Sequence, residues 1–115
     1  MNLEEFYQGV GGDYSEMLAR FQDDQRILKF LRMFLSDDSM QSLSVAVAEG
    51  NAETAFRAVH TLKGIALNLG FEELAIKCSR MTEALRGKSA MCDPALYQAV
   101  LAAYNAVRQA LDALD

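Results

Sequence analysis

The chain has 115 residues, 51% of them apolar and 23% charged, a composition that supports one packed core and excludes intrinsic disorder. A net charge of −5 with no basic run makes nucleic acid and anionic membranes poor partners. No apolar stretch approaches the roughly 18 residues of a membrane span, and the start MNLEEFYQ lacks the basic and apolar regions of a signal peptide, so a cytoplasmic protein is expected.

In chain order, Met1–Gln8 reads as a short helix ended by Gly9, and Gly11-Gly12 breaks the chain. Asp13, with Glu16 three residues on, marks a second helix start in the manner of a capping box. Asp23 caps a third segment over 24–35, with Ile27, Leu28, Leu31, Phe34 and Leu35 on one stripe. Ser36-Asp37-Asp38-Ser39 interrupts it, and a shorter helix over 40–49 ends at Gly50. Asn51 caps a long helix that runs to Leu69 and stops at Gly70. Glu72 and Glu73 open the next helix, where negative charge suits the helix dipole, and it ends near Gly87. Asp93-Pro94 starts the last helix, with Leu96, Val100, Ala103, Val107 and Leu111 facing inward.

The fold class that follows is all-α. Short loops make consecutive helices antiparallel neighbours, so residues 1–115 are expected to form one domain, an up-down four-helix bundle with additional short N-terminal helices. Cys78 falls at an apolar helix position and Cys92 just before Asp-Pro. Two isolated cysteines and one histidine do not give zinc-ligand spacing, and a reducing compartment keeps both thiols free, so no metal site is expected.

The segment Asn51–Gly70 carries the chemistry. At about 100° per residue, Ala55, Ala58, Val59, Leu62, Ile65, Ala66 and Leu69 share one broad arc, the buried face. His60, the only histidine in the chain, lies roughly opposite. Gly64 sits one turn further on, in mid-helix, where glycine costs about 0.5–1 kcal/mol relative to alanine. Its missing side chain leaves the imidazole uncovered, and Lys63 places an ammonium beside any anion held on the ring. These features suit a nucleophile that receives and hands on a phosphoryl group. Histidine offers a nitrogen lone pair near neutral pH.

His60-Thr61-Leu62-Lys63-Gly64, followed by Ala66, Leu69 and Gly70, resembles the signature of histidine-containing phosphotransfer (HPt) domains. The likeness extends along nearly the whole chain, through GGDYSEMLARFQDD and GNAETAFRAVHTLKG, to compact bacterial members of the family. The resemblance implies that His60 is the phosphoacceptor, Lys63 its electrostatic partner and Gly64 the access residue. It also implies a carrier in a two-component phosphorelay without an independent catalytic site. Its partners would be response-regulator receiver domains and a hybrid sensor histidine kinase. The chain itself would bind no cofactor, Mg²⁺ being expected on the receiver, and a monomer is expected.

Four neighbours on the same helix are candidate partner-binding residues: Phe56, Arg57, Leu67 and Asn68. Phe56 and Leu67 fall within about 40° of His60. They read either as an apolar docking patch or as residues that a neighbouring helix covers. The hairpin partner, 71–86, buries Leu74, Cys78, Met81 and Leu85, and returns alongside His60. One of its flanks offers Ser79, Thr82 and Arg86, the other Lys77 and Arg80. Thr82 and Arg86 are the candidates for adjacent-helix support, although the sequence leaves open which flank faces the site. Two other function classes remain to be weighed. A non-catalytic helical adaptor has no need of the His60, Lys63 and Gly64 set, and a self-contained enzyme lacks an acid–base pair.

Overall fold

The computed structural model describes residues 1–115. It contains seven helices and no strand: α1 (Leu3–Gly9), α2 (Tyr14–Phe21), α3 (Asp24–Leu35), α4 (Ser39–Ala48), α5 (Ala52–Leu69), α6 (Glu72–Leu85) and α7 (Pro94–Asp112). Side-chain caps start five of them. Asn51 accepts from the Thr54 N–H at 3.1 Å and Asp23 from the Arg26 N–H at 2.9 Å. Asp93 accepts from the Ala95 N–H, with Pro94 in the first turn where a missing donor is no loss. The reciprocal capping box is at Asn2 and Glu5, not at Asp13 and Glu16. Asp13 does cap α2, but the Glu16 carboxylate turns to Arg20 at 3.3 Å instead. Helix α4 begins at Ser39, one residue before the expected start, because the Asp37 carboxylate accepts the Ser39 N–H.

Helices α5 and α6 form an antiparallel hairpin and make the most extensive interhelical contact, with α4 packed on α5 and α7 on α6. The hydroxyls of Ser44 on α4 and Tyr97 on α7 lie 2.8 Å apart, linking the outer two helices. The bundle is thus α4 to α7, with α1 to α3 at its side and end. Helix α5 buries Ala52, Ala55, Ala58, Val59, Leu62, Ala66 and Leu69, the small residues admitting its neighbours closely. Ile65 departs from the expected face. It is half-buried and lines an open groove with Phe30, Met33 and Phe34 of α3, because α3 covers this part of α5 incompletely.

The α5–α6 turn is where the N-terminal segment docks. Gly70 adopts the left-handed conformation (φ 79°), which ends α5 without a Cβ penalty. The buried Tyr7 hydroxyl donates to the Leu69 carbonyl at 2.9 Å, and burial pushes the Tyr7 phenol far above its ordinary range. The Glu73 N–H donates to the Val10 carbonyl. Arg20 Nη1 donates to the carbonyls of Leu67 and Asn68 at the C-terminal end of α5, where a cation suits the helix dipole. Tyr7→Phe strands the Leu69 acceptor in a dry site. It is expected to lower unfolding free energy by about 1–2 kcal/mol, read as a reduced urea midpoint with an unchanged slope.

Candidate functional site

The polar side of α5 presents His60 to solvent, while its sequence neighbour Val59 is wholly buried. The imidazole makes one aromatic contact, with Phe56 one turn earlier: the ring centres are 5.9 Å apart and the planes tilted by 32°. Gly64 is exposed, and a Cβ built there meets nothing within 4 Å. Nothing inside this chain therefore requires glycine at that position. Gly64→Ala is expected to raise unfolding free energy by about 0.5–1 kcal/mol through helix propensity alone, measurable by chemical denaturation.

The cations of the α5–α6 hairpin differ in their commitments. Arg57 is paired with Glu53 at 2.8 Å and turns away along α5. Arg86 is paired with Glu83 at 3.0 Å, and Lys77 with Glu73. Lys63 makes no ion pair. It is half-buried against α6, close enough to Cys78 and Glu83 for its charge to act on both. Lys63 is thus the uncommitted ammonium nearest the histidine on α5.

Helix α6 presents its Ser79 and Arg86 flank to α5. Ser79 and Lys63 share a groove of about 410 Å³ with Leu67, Glu72, Ala75 and Ile76. Leu67 is 54% and Ile76 43% exposed, an uncovered apolar pair beside the candidate acceptor. The Arg86 guanidinium lies over the Phe56 ring, 5.3 Å from its centre, and the half-buried ring also packs against the core. Asn68 is exposed, and its carbonyl is taken by Arg20. Thr82 requires correction as a support residue. It is fully buried and its hydroxyl donates to the Cys78 carbonyl at 2.7 Å, so it presents nothing to the histidine. Glu83 was missed by the sequence reading. The available signal was its spacing of three residues from Arg86, which fits an ion pair on one helix face.

Competing chemistries find little here. Burial pushes the Cys78 thiol up to about 12, which keeps it protonated and inert. No group of three or more His, Cys, Asp and Glu side chains is placed to hold a metal ion. No helix is long and apolar enough to cross a membrane.

A lone solvent-facing imidazole, a free ammonium one turn along and open space at a helical glycine thus stand together on a helical-bundle scaffold. The chain belongs to the Hpt domain family, whose model matches residues 16–115. No curated protein and no solved structure matches it. Members of this family are phosphocarriers in histidine phosphotransfer and interact with receiver domains and kinases in phosphorelays. The match begins within α2, so α1 and the Gly11-Gly12 turn lie outside it.

Proposed function

We propose that this chain is a cytoplasmic phosphocarrier that accepts a phosphoryl group on His60 from a receiver-domain aspartate and passes it to another receiver. The observation that carries this reading is the set His60, Lys63 and Gly64: an exposed imidazole, an uncommitted ammonium, and a glycine that no contact within the chain explains. The reaction runs as an in-line displacement. The lone pair of His60 Nε2 attacks phosphorus, the N–P bond forms, and the P–O bond to the aspartate breaks, its electrons leaving on the carboxylate. The ring then releases its Nδ1 proton to solvent. Lys63 offsets charge on the phosphoryl oxygens, since transfer through a loose transition state depends mainly on positioning and charge compensation.

The receiver supplies the aspartate, the acidic pocket and its Mg²⁺. This chain supplies the nucleophile and the docking surface, in which Leu67 and Ile76 give an apolar anchor and Gly64 lets the receiver backbone approach. Phe56, Arg57 and Asn68 border the same face. Incubation with receivers carrying labelled aspartyl phosphate tests the reading. Label that moves to this chain and is acid-labile and base-stable supports it. Receivers that lose label only to water overturn it.

A further inference from the structure

Glu83 and the C-capping Arg86 form a two-point pair at the end of α6, with Arg86 Nε donating to Glu83 Oε2 at 3.1 Å and Nη2 to Oε1 at 3.0 Å. The same guanidinium lies on the Phe56 ring, and the His60 ring contacts that ring too. The structure therefore places a cation one aromatic ring away from the candidate acceptor and pairs it there with a carboxylate. Both members of the pair are more than half exposed, and an exposed ion pair is weak. A phosphoryl dianion offers three strong acceptor oxygens, and the guanidinium has five N–H donors in a planar fork that matches them. The carboxylate engages only two of the five.

We propose that Glu83 is a positioning residue: it holds Arg86 against Phe56 while His60 is unmodified, and the phosphoryl group on His60 then competes with it for the guanidinium. The Glu83 carboxylate thereby sets how long the phosphohistidine lasts. The idea rests on His60 being the acceptor. Glu83 is held below the usual carboxylate range, first by the Arg86 hydrogen bonds and also by the charges of Lys63 and His60. It is thus ionised at neutral pH and within electrostatic reach of the ring. Spontaneous loss of the group follows when water attacks phosphorus. The N–P bond breaks, phosphate carries off the water oxygen, and the ring nitrogen takes a proton. A guanidinium drawn onto the phosphoryl oxygens neutralises the ground-state dianion and orients it for a receiver.

The test uses the full chain, labelled from a phosphorylated receiver and then separated from it, with decay of label followed at neutral pH. Glu83→Gln removes the competing charge and is expected to lengthen the half-life about two- to fivefold, the span open to an exposed ion pair. In an Arg86→Gln background the same change is expected to have no effect, because the guanidinium it releases is absent. Thermal unfolding of each variant serves as the control, and a merely structural role moves that transition and not the half-life. An unchanged half-life in Glu83→Gln overturns the proposal. So does a gain that persists without Arg86, which would make Glu83 a simple repulsive charge. A parent chain that never takes label overturns the acceptor assignment instead, so the two failures are told apart.

Discussion

His60→Gln is expected to take no phosphoryl label from any receiver that labels the parent chain, and to unfold within about 0.5 kcal/mol of it. Both halves follow from where the side chain stands. The imidazole is exposed and accepts or donates no hydrogen bond within the chain. Its one close partner is the Phe56 ring, and that ring keeps Arg86 when the imidazole is gone. Glutamine has a helix propensity at least as good as histidine, so α5 loses nothing by the exchange. The chemical half is strict because the chain has a single histidine. Neither cysteine offers an alternative. Burial keeps the Cys78 thiol protonated, and burial also raises the Cys92 thiol, which sits in the loop before α7. Phosphate on the receiver aspartate is base-labile, whereas phosphate on a ring nitrogen is base-stable and acid-labile. Gel bands treated in parallel with acid and base therefore read the site directly. Acid-labile label on His60→Gln, in a chain that melts normally, refutes the assignment.

The parts of the site that depend on one helix were legible in the sequence. Positions three and four apart share a face, so Lys63 and Gly64 had to stand beside His60 wherever α5 was packed. The same holds for the caps at Asp13, Asp23, Asn51 and Asp93, each of which bonds within its own first turn. Contacts between helices were not legible. Whether Arg86 or Lys77 faced α5 depended on the rotation of α6 about its axis, and that rotation is set by burial of Phe71, Leu74, Cys78 and Met81 together. Thr82 was misread for the same reason. Its threonine hydroxyl satisfied itself on the Cys78 carbonyl one turn back, which allowed it to be wholly buried. Ile65 lay at the edge of the apolar arc, and a wheel does not record that the neighbour covering it there is incomplete.

The glycines separate the two kinds of information. Gly64 has open space around it, so no contact within the chain accounts for it. Gly12 is the opposite case. Its sequence context, Gly11-Gly12-Asp13, reads only as a break between helices, yet a Cβ built there falls 2.2 Å from the Gly70 carbonyl oxygen and 3.0 Å from Tyr7 Cδ1. Gly70 is itself hemmed in, with Met17 Sδ 2.9 Å from a Cβ built on it. The two glycines thus let two backbones meet where the N-terminal segment closes over the end of the α5–α6 hairpin.

Gly12→Ala is accordingly expected to lower unfolding free energy by about 2–4 kcal/mol, from the upper part of the usual overpacking cost of about 1–3 kcal/mol upward, because the atoms it meets are main chain. The clash is with main chain, so a rotamer change cannot relieve it. Either the Gly70 carbonyl moves, disturbing the end of α5, or α1 lifts away and takes the Tyr7–Leu69 and Glu73–Val10 hydrogen bonds with it. At roughly 4 °C per kcal/mol for a chain of this size, the melting temperature should fall by about 8–16 °C. Gly64→Ala makes the same chemical change on an exposed helix face and should move the midpoint the other way. Lifting α1 also leaves a specific signature, because the Tyr7 phenol returns to water and its ionisation returns toward the ordinary range. A spectroscopic alkaline titration of Gly12→Ala should then show one more tyrosine ionising normally than the parent chain does. A variant with parental stability and a parental tyrosine titration would mean that the N-terminal segment is not seated on the α5–α6 turn at all.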